Sequence, residues 1–335
     1  MRLSSDREPG FCRRRIRNSL AYFDQLGTRV TDNQVIARLD ALALPPAYTN
    51  AWFCVDLDGH MQATGIDARG RKQYSYHPEY RKRREAGKYD SLVDFGRRLP
   101  RLRRRVKADL ENSELSFKTV LAAIVRLIDT ECIRVGNKKY ADENKSYGAT
   151  TLLDSHLSFD QAACLMSFSG KHGVHHREKI EDDVLEDVMR RCRDLPGEVL
   201  FQYIESDGKA SAATSRDVNN YIKREMSAEF TAKHFRTWRA SVIVFDRLLH
   251  KRSTTKISIR ELLEPVAKQL GNTMAISRKS YVHPSLLEAV KRNPRNPLSG
   301  TDRSRGRSLL SPSEAGLIDY LARLPGSAAD GGDGG

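Results

Sequence analysis

The spacing of the hydrophobic residues changes near residue 88 of this 335-residue chain. Before that point the apolar runs are short, as in residues 52–55, which lead into Asp58-Gly59 and a second extended stretch. After it, apolar residues recur at the three- and four-residue spacing of amphipathic helices. This separation of strand and helix patterns predicts an α+β chain, with a small sheet lobe followed by a larger, mainly helical domain.

The first 80 or so residues are predicted to form a small sheet with one or two helices. Residues 32–42 have helical spacing and end before Pro45. Asp-Gly between the next two apolar runs favours a tight hairpin turn, and a third extended stretch covers residues 73–77. The charged segment 79–90 is interrupted by Gly87 and is interpreted as a hinge.

The rest of the chain is predicted to be mainly helical. Amphipathic helices are indicated within residues 117–128, 184–189, 242–248 and 262–270. A short hairpin is predicted around Ser169-Gly-Lys-His-Gly173, between the first two of these helices. We therefore predict domains at residues 1–88 and 89–326. Residues 327–335, rich in Gly and Asp, have nothing to bury and are predicted to be a disordered tail.

The charge balance points to a polyanionic partner. Lys and Arg number 57 against 43 Asp and Glu, a net charge of +14, and nucleic acid is the commonest partner of such a chain. No apolar run approaches the roughly 20 residues of a membrane-spanning helix, and the N-terminus lacks the apolar core of a signal peptide. The five scattered cysteines contain no Cys-x-x-Cys pair and are interpreted as buried or half-buried thiols in a reducing cytoplasm.

Several chemistries lack their usual residues in this chain. There is no G-x-x-x-x-G-K-[ST] loop for ATP, and no paired carboxylates suited to two Mg²⁺ ions stand out. His172, His175 and His176 could suggest a metal site, but no cysteine or carboxylate at ligand spacing clearly accompanies them. They are interpreted as polar positions on a DNA-facing hairpin.

Arg134, Lys171, Arg236 and Tyr281 form a sufficient set for attack on a phosphodiester. A phenol with a pKa near 10 loses its proton more easily in a positive field. Guanidinium groups stabilise the charge that gathers on the phosphate oxygens, and a lysine can protonate the departing hydroxyl. As composition alone the set is unspecific, because a chain with 57 basic residues offers many such combinations.

The local motifs around these residues are specific. They are Arg134-Val-Gly-Asn-Lys-Lys-Tyr140, Phe168-Ser-Gly-Lys171, Thr231-Ala-Lys-His-Phe-Arg236 and Leu270-Gly-Asn-Thr, which continues to Ser280-Tyr281-Val-His-Pro284. In content and order they resemble the motifs of type IB DNA topoisomerases, with the closest match in the compact branch of poxviruses and bacteria. The resemblance extends from about residue 10 to residue 324.

This resemblance implies a role for each matching residue. Tyr281 would be the nucleophile that forms a 3′-phosphotyrosyl bond. Arg134 and Arg236 would hold the scissile phosphate, and Lys171 would be the general acid for the 5′-oxygen. Asn272 occupies a position that is histidine in the poxvirus enzymes; it can donate a hydrogen bond to the phosphate but carries no charge.

The resemblance also implies DNA contacts. The residues concerned are Arg71 and Lys72 just before the third extended stretch, Gln73, Tyr74 and Tyr76 on it, and Gly136 and Tyr140 in the motif that begins at Arg134. The two strand tyrosines alternate and so share one face, which could serve core packing instead. The arginine-rich segment 97–107 is a solvated face or, on a DNA clamp, a phosphate-binding one.

The implied protein is a monomeric, two-lobed clamp around duplex DNA, located in the cytoplasm with the nucleoid. Residues 1–88 would be its DNA-binding lobe, and residues 89–326 a catalytic domain of the tyrosine recombinase and type IB topoisomerase kind. It would relax positive and negative supercoils without ATP, metal, other cofactor or small-molecule substrate.

Two alternatives remain at this level. A tyrosine recombinase has the same catalytic set but usually carries a histidine three residues before the second arginine, where this chain has Lys233. An architectural DNA binder would explain the charge but not the tyrosine motif. His283 follows Tyr281 at the wrong offset to replace the poxvirus histidine and is interpreted as structural.

Overall fold

The computed structural model describes residues 1–17, 19–159, 164–250, 256–299 and 305–324, apart from the side chains at positions 85 and 86. The chain divides into two compact units between Asp90 and Ser91, whereas the boundary was predicted after residue 88. The predicted tail, residues 327–335, lies outside the described residues. None of the helices in these ranges combines the length and apolar character that a bilayer-spanning helix requires.

The first unit is built around a five-stranded antiparallel sheet in the order β2-β1-β3-β4-β5. Its elements are β1 (Gly10–Ile16), β2 (Ser19–Phe23), α1 (Asn33–Ala41), β3 (Thr49–Cys54), β4 (Met61–Ile66), β5 (Lys72–Tyr76) and α2 (Pro78–Asp90). The predicted hairpin is β3–β4 and the third stretch is β5, so both are confirmed. Strands β1 and β2 were not predicted, because the consecutive arginines of β1 hide the alternation of a strand.

The helix predicted over residues 32–42 is confirmed as α1. The Asp32 side chain caps it by accepting from the backbone N–H of Gln34 at 2.8 Å. The hinge prediction at Gly87 was wrong, because α2 continues through this glycine. One glycine costs a helix only about 1 kcal/mol relative to alanine, and the Arg, Lys and Glu residues around it are good helix formers.

The second unit is mainly helical, as predicted. Its elements are α3 (Leu92–Leu110), α4 (Phe117–Glu131), α5 (Lys138–Asn144), β6 (Leu157–Phe159), β7 (Cys164–Ser169), β8 (His175–Ile180), α6 (Asp183–Arg193), β9 (Gln202–Ile204), β10 (Ala210–Ala212), α7 (Ser215–Met226), α8 (Ala232–Leu249), α9 (Ile259–Leu270), α10 (Met274–Ser280), α11 (Pro284–Arg292) and α12 (Pro312–Ala322). The predicted helices correspond to α4, α6, α8 and α9, and the predicted hairpin to β7–β8.

Helix α4 is buried along most of its length, which places it in the centre of this unit's core. Partly buried ion pairs and a hydrogen bond join this helix and its neighbours. Arg103 of α3 binds Asp129 of α4 at 2.7 Å and Glu314 of α12 at 2.8 Å. Glu314 also accepts from the indole N–H of Trp238 in α8, at 3.0 Å. Arg103 is therefore a half-buried residue whose guanidinium is paired within the protein, and the interpretation of segment 97–107 as a solvated or phosphate-binding face was wrong at this position.

All five cysteines lie in the described ranges as free thiols. Four are buried and Cys12 is half-buried, as predicted. Burial raises the pKa of the Cys132 thiol to about 12 and that of Cys164 to about 11, so both are protonated and unreactive at neutral pH.

Candidate active site

Four predicted residues from distant parts of the chain line one cavity of ≈ 330 Å³ in the second unit. They are Arg134, Lys171, Arg236 and Tyr281. Arg134 follows the end of α4, Lys171 lies in the β7–β8 turn, Arg236 belongs to α8 and Tyr281 ends α10. A different set of turns, hydrogen bonds and packing contacts positions each of these side chains.

The loop that carries Arg134 depends on two glycines. Helix α4 ends at Cys132 in a left-handed conformation with φ 57°. Gly136 has a φ of 96°, which favours glycine. A Cβ on Gly148 would lie 2.5 Å from the carbonyl oxygen of Arg134 and 2.6 Å from the backbone nitrogen of Gly136, so only glycine fits there. Gly136, predicted to contact DNA, lines the cavity and also permits this close packing.

Arg236 is held by the backbone. Its side chain is 4% exposed, and its two terminal nitrogens donate to the carbonyl oxygens of Cys132 and Leu270. These bonds connect α8 to the ends of α4 and α9 and fix the plane of the guanidinium. Its Nε has no hydrogen-bond partner among the described residues. The group therefore keeps donor capacity for a bound anion.

Tyr281 lies at the break between α10 and α11. The backbone N–H of His283 donates to the hydroxyl of Ser241 in α8, at 3.0 Å, and Val282 is fully buried. These contacts hold the residues after the tyrosine against α8. The His283 side chain accepts from the N–H of Ser285 at 3.2 Å and caps α11, which agrees with the structural interpretation.

The electrostatic surroundings favour the phenolate of Tyr281. Burial by itself raises the pKa of this hydroxyl, but Arg236, Arg134 and Lys233 outweigh it and bring the pKa below its usual value. The guanidinium carbon of Arg236 is 5.3 Å from the centre of the tyrosine ring. The half-buried tyrosine is thus easier to deprotonate than a tyrosine in water.

Asn272 accepts a hydrogen bond from Arg134 and keeps a donor that no described residue uses. Its Oδ1 accepts from a terminal nitrogen of Arg134 at 2.9 Å. Its Nδ2 is buried and has no hydrogen-bond partner within the described ranges. A buried amide left unpaired is costly unless a ligand binds it. The arrangement fits a second anion donor beside Arg134.

The turn that carries Lys171 is short and closed. The backbone N–H of Gly170 donates to the carbonyl oxygen of Val174 at 2.7 Å, and His172 adopts a left-handed φ of 64°. The Lys171 side chain is exposed at the cavity edge. His176 departs from the prediction, because it is 7% exposed and lies in the protein instead of facing DNA.

The predicted DNA-contact residues in β5 and immediately before it have hydrogen-bond or ion-pair partners within the protein. Arg71 binds Asp67 at 2.7 Å, and Gln73 donates to the same carboxylate at 2.9 Å. The Arg71 guanidinium is the main reason that the pKa of Asp67 lies well below its usual range. Lys72 forms an ion pair with Asp6. A DNA phosphate would therefore compete with carboxylates for these side chains.

The tyrosines of β5 are not core residues. Tyr74 is 48% exposed, and its ring stacks on that of Tyr76 with 6.0 Å between centroids and 11° between planes. Tyr76 packs in turn against Tyr80. The core-packing alternative for this face was wrong. Tyr140, the other predicted aromatic contact, is 40% exposed and lines the cavity in the second unit.

The cavity includes residues that sequence reasoning did not assign to the site. Lys233, Ser146 and Tyr147 all line it. Lys233 lies three residues before Arg236 on α8, so helical spacing alone places both residues on one face. From the sequence, Lys233 was noted only as a departure from the recombinase pattern. No spacing or motif in the sequence pointed to Ser146 or Tyr147.

The site contains cations and hydroxyls but little to hold a metal. No group of three or more His, Cys, Asp or Glu side chains in the described ranges is arranged to bind a metal ion. A phenol with a lowered pKa between two guanidiniums, with a lysine nearby, is suited to nucleophilic attack on a phosphodiester.

Comparison with known proteins shows what the chain is similar to. Residues 77–296 match the family model for the catalytic core of eukaryotic DNA topoisomerase I, and residues 19–67 match that for the N-terminal domain of bacterial DNA topoisomerase IB. The chain is 34% identical to DNA topoisomerase 1B of Acanthamoeba polyphaga mimivirus, over 82% of this chain and 84% of that protein. It is 24% identical to DNA topoisomerase 1B of vaccinia virus strain Copenhagen, over 68% and 71% of the two chains.

Proposed function

This chain belongs to the type IB DNA topoisomerases, and we propose that it relaxes supercoils of both signs by cutting and resealing one strand through Tyr281. The observation that carries the proposal is the position of the Tyr281 hydroxyl, whose pKa is lowered by Arg236 and Arg134 in the cavity that Lys171 also lines. These residues, which line one cavity of the second unit, would supply the catalytic set of a strand-cutting tyrosine enzyme.

In the proposed cleavage step, the deprotonated Tyr281 oxygen attacks the scissile phosphorus. A bond forms between that oxygen and phosphorus, and the bond from phosphorus to the 5′-oxygen breaks. Lys171 donates a proton to the departing oxygen, which leaves as a 5′-hydroxyl. The strand turns about the intact one, and the 5′-hydroxyl then attacks the phosphotyrosine to reverse the chemistry. The covalent bond retains the free energy of the broken one, so ATP is not needed.

Three groups would stabilise the charge on the non-bridging oxygens. Arg236 has its plane fixed by two backbone carbonyls and retains unused N–H donors. Arg134 and the free Nδ2 of Asn272 form a second, joined pair of donors. Donors that are already oriented need not reorganise as the transition state forms, which is the main source of this kind of stabilisation.

The proposal also covers DNA binding, the fold of the second unit and the oligomeric state. The first unit would contact duplex DNA through the exposed Tyr74 and the basic residues Arg71 and Lys72. The second would have the fold of the tyrosine recombinases, and the protein would act as a monomeric clamp on the nucleoid. DNA binding would require Asp6 and Asp67 to give up Lys72 and Arg71, or to share them with phosphates.

Supercoiled plasmid should relax in EDTA without any nucleotide, because the proposed step uses only protein side chains. Agarose gels of positively and negatively supercoiled plasmid provide the measurement. An absolute requirement for ATP or a divalent metal would rule out the mechanism. Exchange of strands between two labelled duplexes would favour the recombinase alternative.

Replacement of Asn272 by Asp should slow cleavage by roughly 10²-fold or more, the usual scale for losing one transition-state donor. Asp keeps an oxygen for Arg134 but replaces the Nδ2 donor with a charged oxygen beside the phosphate. Asn272→His should remain active, since a ring nitrogen can donate to the same oxygen. Single-turnover cleavage rates test both variants, and normal cleavage by Asn272→Asp would show that the amide does not touch the phosphate.

A further inference from the structure

His176 of β8 lies behind the active site and takes no part in the proposed chemical step. Its side chain is buried, and its ring stacks on Phe168 of β7 with 4.8 Å between centroids and 13° between planes. The two residues are register partners in the hairpin. This stacking fixes the imidazole on the inner face of the strand pair that carries Lys171.

The ring also lies against the residue that precedes Lys171. A Cβ built on Gly170 would be 2.8 Å from both Cδ2 and Nε2 of His176, closer than real contacts allow. Because Gly170 also closes the turn through its bond to Val174, a shift of Gly170 would move the turn and Lys171 with it.

The same Nε2 end of the ring also lies near the turn that leads from α9 to Asn272. A Cβ on Gly271 would be 3.2 Å from Cε1 and 3.4 Å from Nε2 of His176, and 2.9 Å from Cγ1 of Val174. Gly271 ends α9 with a left-handed φ of 56° and directly precedes Asn272. The Nε2 end of the imidazole therefore lies close to two glycines, one beside Lys171 and the other beside Asn272.

We propose that His176 is a positioning residue, whose ring sets the place of Lys171 by packing against both the Gly170 turn and the Gly271 turn. The proposal rests on the assignment of Lys171 as general acid. His176 does not supply the proton itself, because burial, with help from Arg236 and Arg134, lowers its pKa to about 4. At neutral pH it is an uncharged spacer.

The test compares ordinary DNA with DNA whose 5′-bridging oxygen at the cleavage site is sulfur. A thiolate leaves without protonation, so a defect confined to Lys171 disappears on the sulfur substrate. His176→Ala should cut the oxygen substrate about 10²-fold more slowly, the scale of a misplaced catalytic group. It should cut the sulfur substrate within about threefold of the unaltered protein, since no general acid is then needed.

His156→Ala is the matched control. His156 is a half-buried histidine directly before β6, the strand that pairs with β7 on the side away from β8. Its ring is 6.1 Å from that of Phe168, but it is not among the nearest neighbours of Gly170 or Gly271. Its replacement should affect the two substrates equally, as a loss of general stability would. A preference for sulfur in this variant as large as in His176→Ala would overturn the proposal.

Gly170→Ala changes the same contact by adding a methyl to the glycine. It is a second test of the proposal in case His176→Ala does not fold. Gly170 has an ordinary φ of −90°, so the backbone accepts alanine there; the added methyl would press on the His176 ring at 2.8 Å and would only touch the carbonyl oxygen of Val174, at 3.4 Å. This variant should also cut the oxygen substrate more slowly while cutting the sulfur substrate at nearly the normal rate. Combining it with His176→Ala should slow cleavage little further, because the effects of substitutions at residues in contact are not additive. Equal slowing on both substrates by His176→Ala and Gly170→Ala would refute the positioning role. Failure of the unaltered protein to cut either substrate would instead refute the proposed function.

Discussion

Replacement of Tyr281 by Phe should abolish the covalent protein–DNA adduct while leaving DNA affinity nearly unchanged. Only one hydroxyl is lost, and the ring that contacts Arg236 remains. Without that oxygen no bond to phosphorus can form, so both cleavage and plasmid relaxation should disappear. Denaturing gels of protein mixed with end-labelled DNA measure the adduct, and a filter-binding titration measures the affinity.

Tyr320→Phe is the control for this experiment. The Tyr320 hydroxyl bonds to the carbonyl oxygen of Ser285 at 3.4 Å and lies outside the cavity. Its loss should leave adduct formation intact. Adduct that persists in Tyr281→Phe would place the nucleophile on another residue, and the tyrosines that line the cavity, Tyr140 and Tyr147, would be examined next.

Lys171→Ala should cut ordinary DNA roughly 10²–10⁴-fold more slowly, the range expected for loss of a general acid. The departing 5′-oxygen is too basic to leave without a proton. When sulfur replaces it, the leaving group is a thiolate and protonation is unnecessary. The variant should then cleave almost as fast as the unaltered protein. Single-turnover cleavage of paired oxygen and sulfur substrates measures the difference.

Arg134→Ala supplies the contrast. Its defect, of roughly 10²–10³-fold, is a loss of charge stabilisation and should be equal on both substrates. Arg236 is less suitable, because its replacement would also leave two buried carbonyl oxygens without their donor. Each such group costs about 1–3 kcal/mol, so a slow Arg236 variant would mix catalysis with stability. If sulfur fails to rescue Lys171→Ala, the lysine holds phosphate and another group is the acid.

The local parts of this protein could be predicted because they depend on neighbours in the chain. Helix α1 follows from its apolar spacing and the Asp32 cap, and the β3–β4 hairpin from Asp58-Gly59. The motifs around Arg134, Lys171, Arg236 and Tyr281 indicated the chemistry and the family before any contact was known. In these cases the sequence spacing itself carries the information, since backbone hydrogen bonds and turn conformations act over a few residues.

Other features depend on partners that are distant in the chain. Strand β1 has no clear alternation and forms because β2 and β3 pair with it. Arg103 was interpreted as a surface charge, but Asp129 and Glu314 pair with it inside the helical unit, where it is half-buried. His176 was interpreted as a DNA-facing residue, but its ring is buried against Phe168 and the Gly170 turn.

The sequence by itself determined which side chains are available for the proposed chemistry and which stretches form the main helices and the hairpins. Only the tertiary structure decided their state: the lowered pKa of Tyr281, the fixed plane of Arg236, the free donor of Asn272 and the burial of His176. The reason is physical. Burial and electric field at one atom are sums over all groups near it in space, and most of those groups lie far away in the chain.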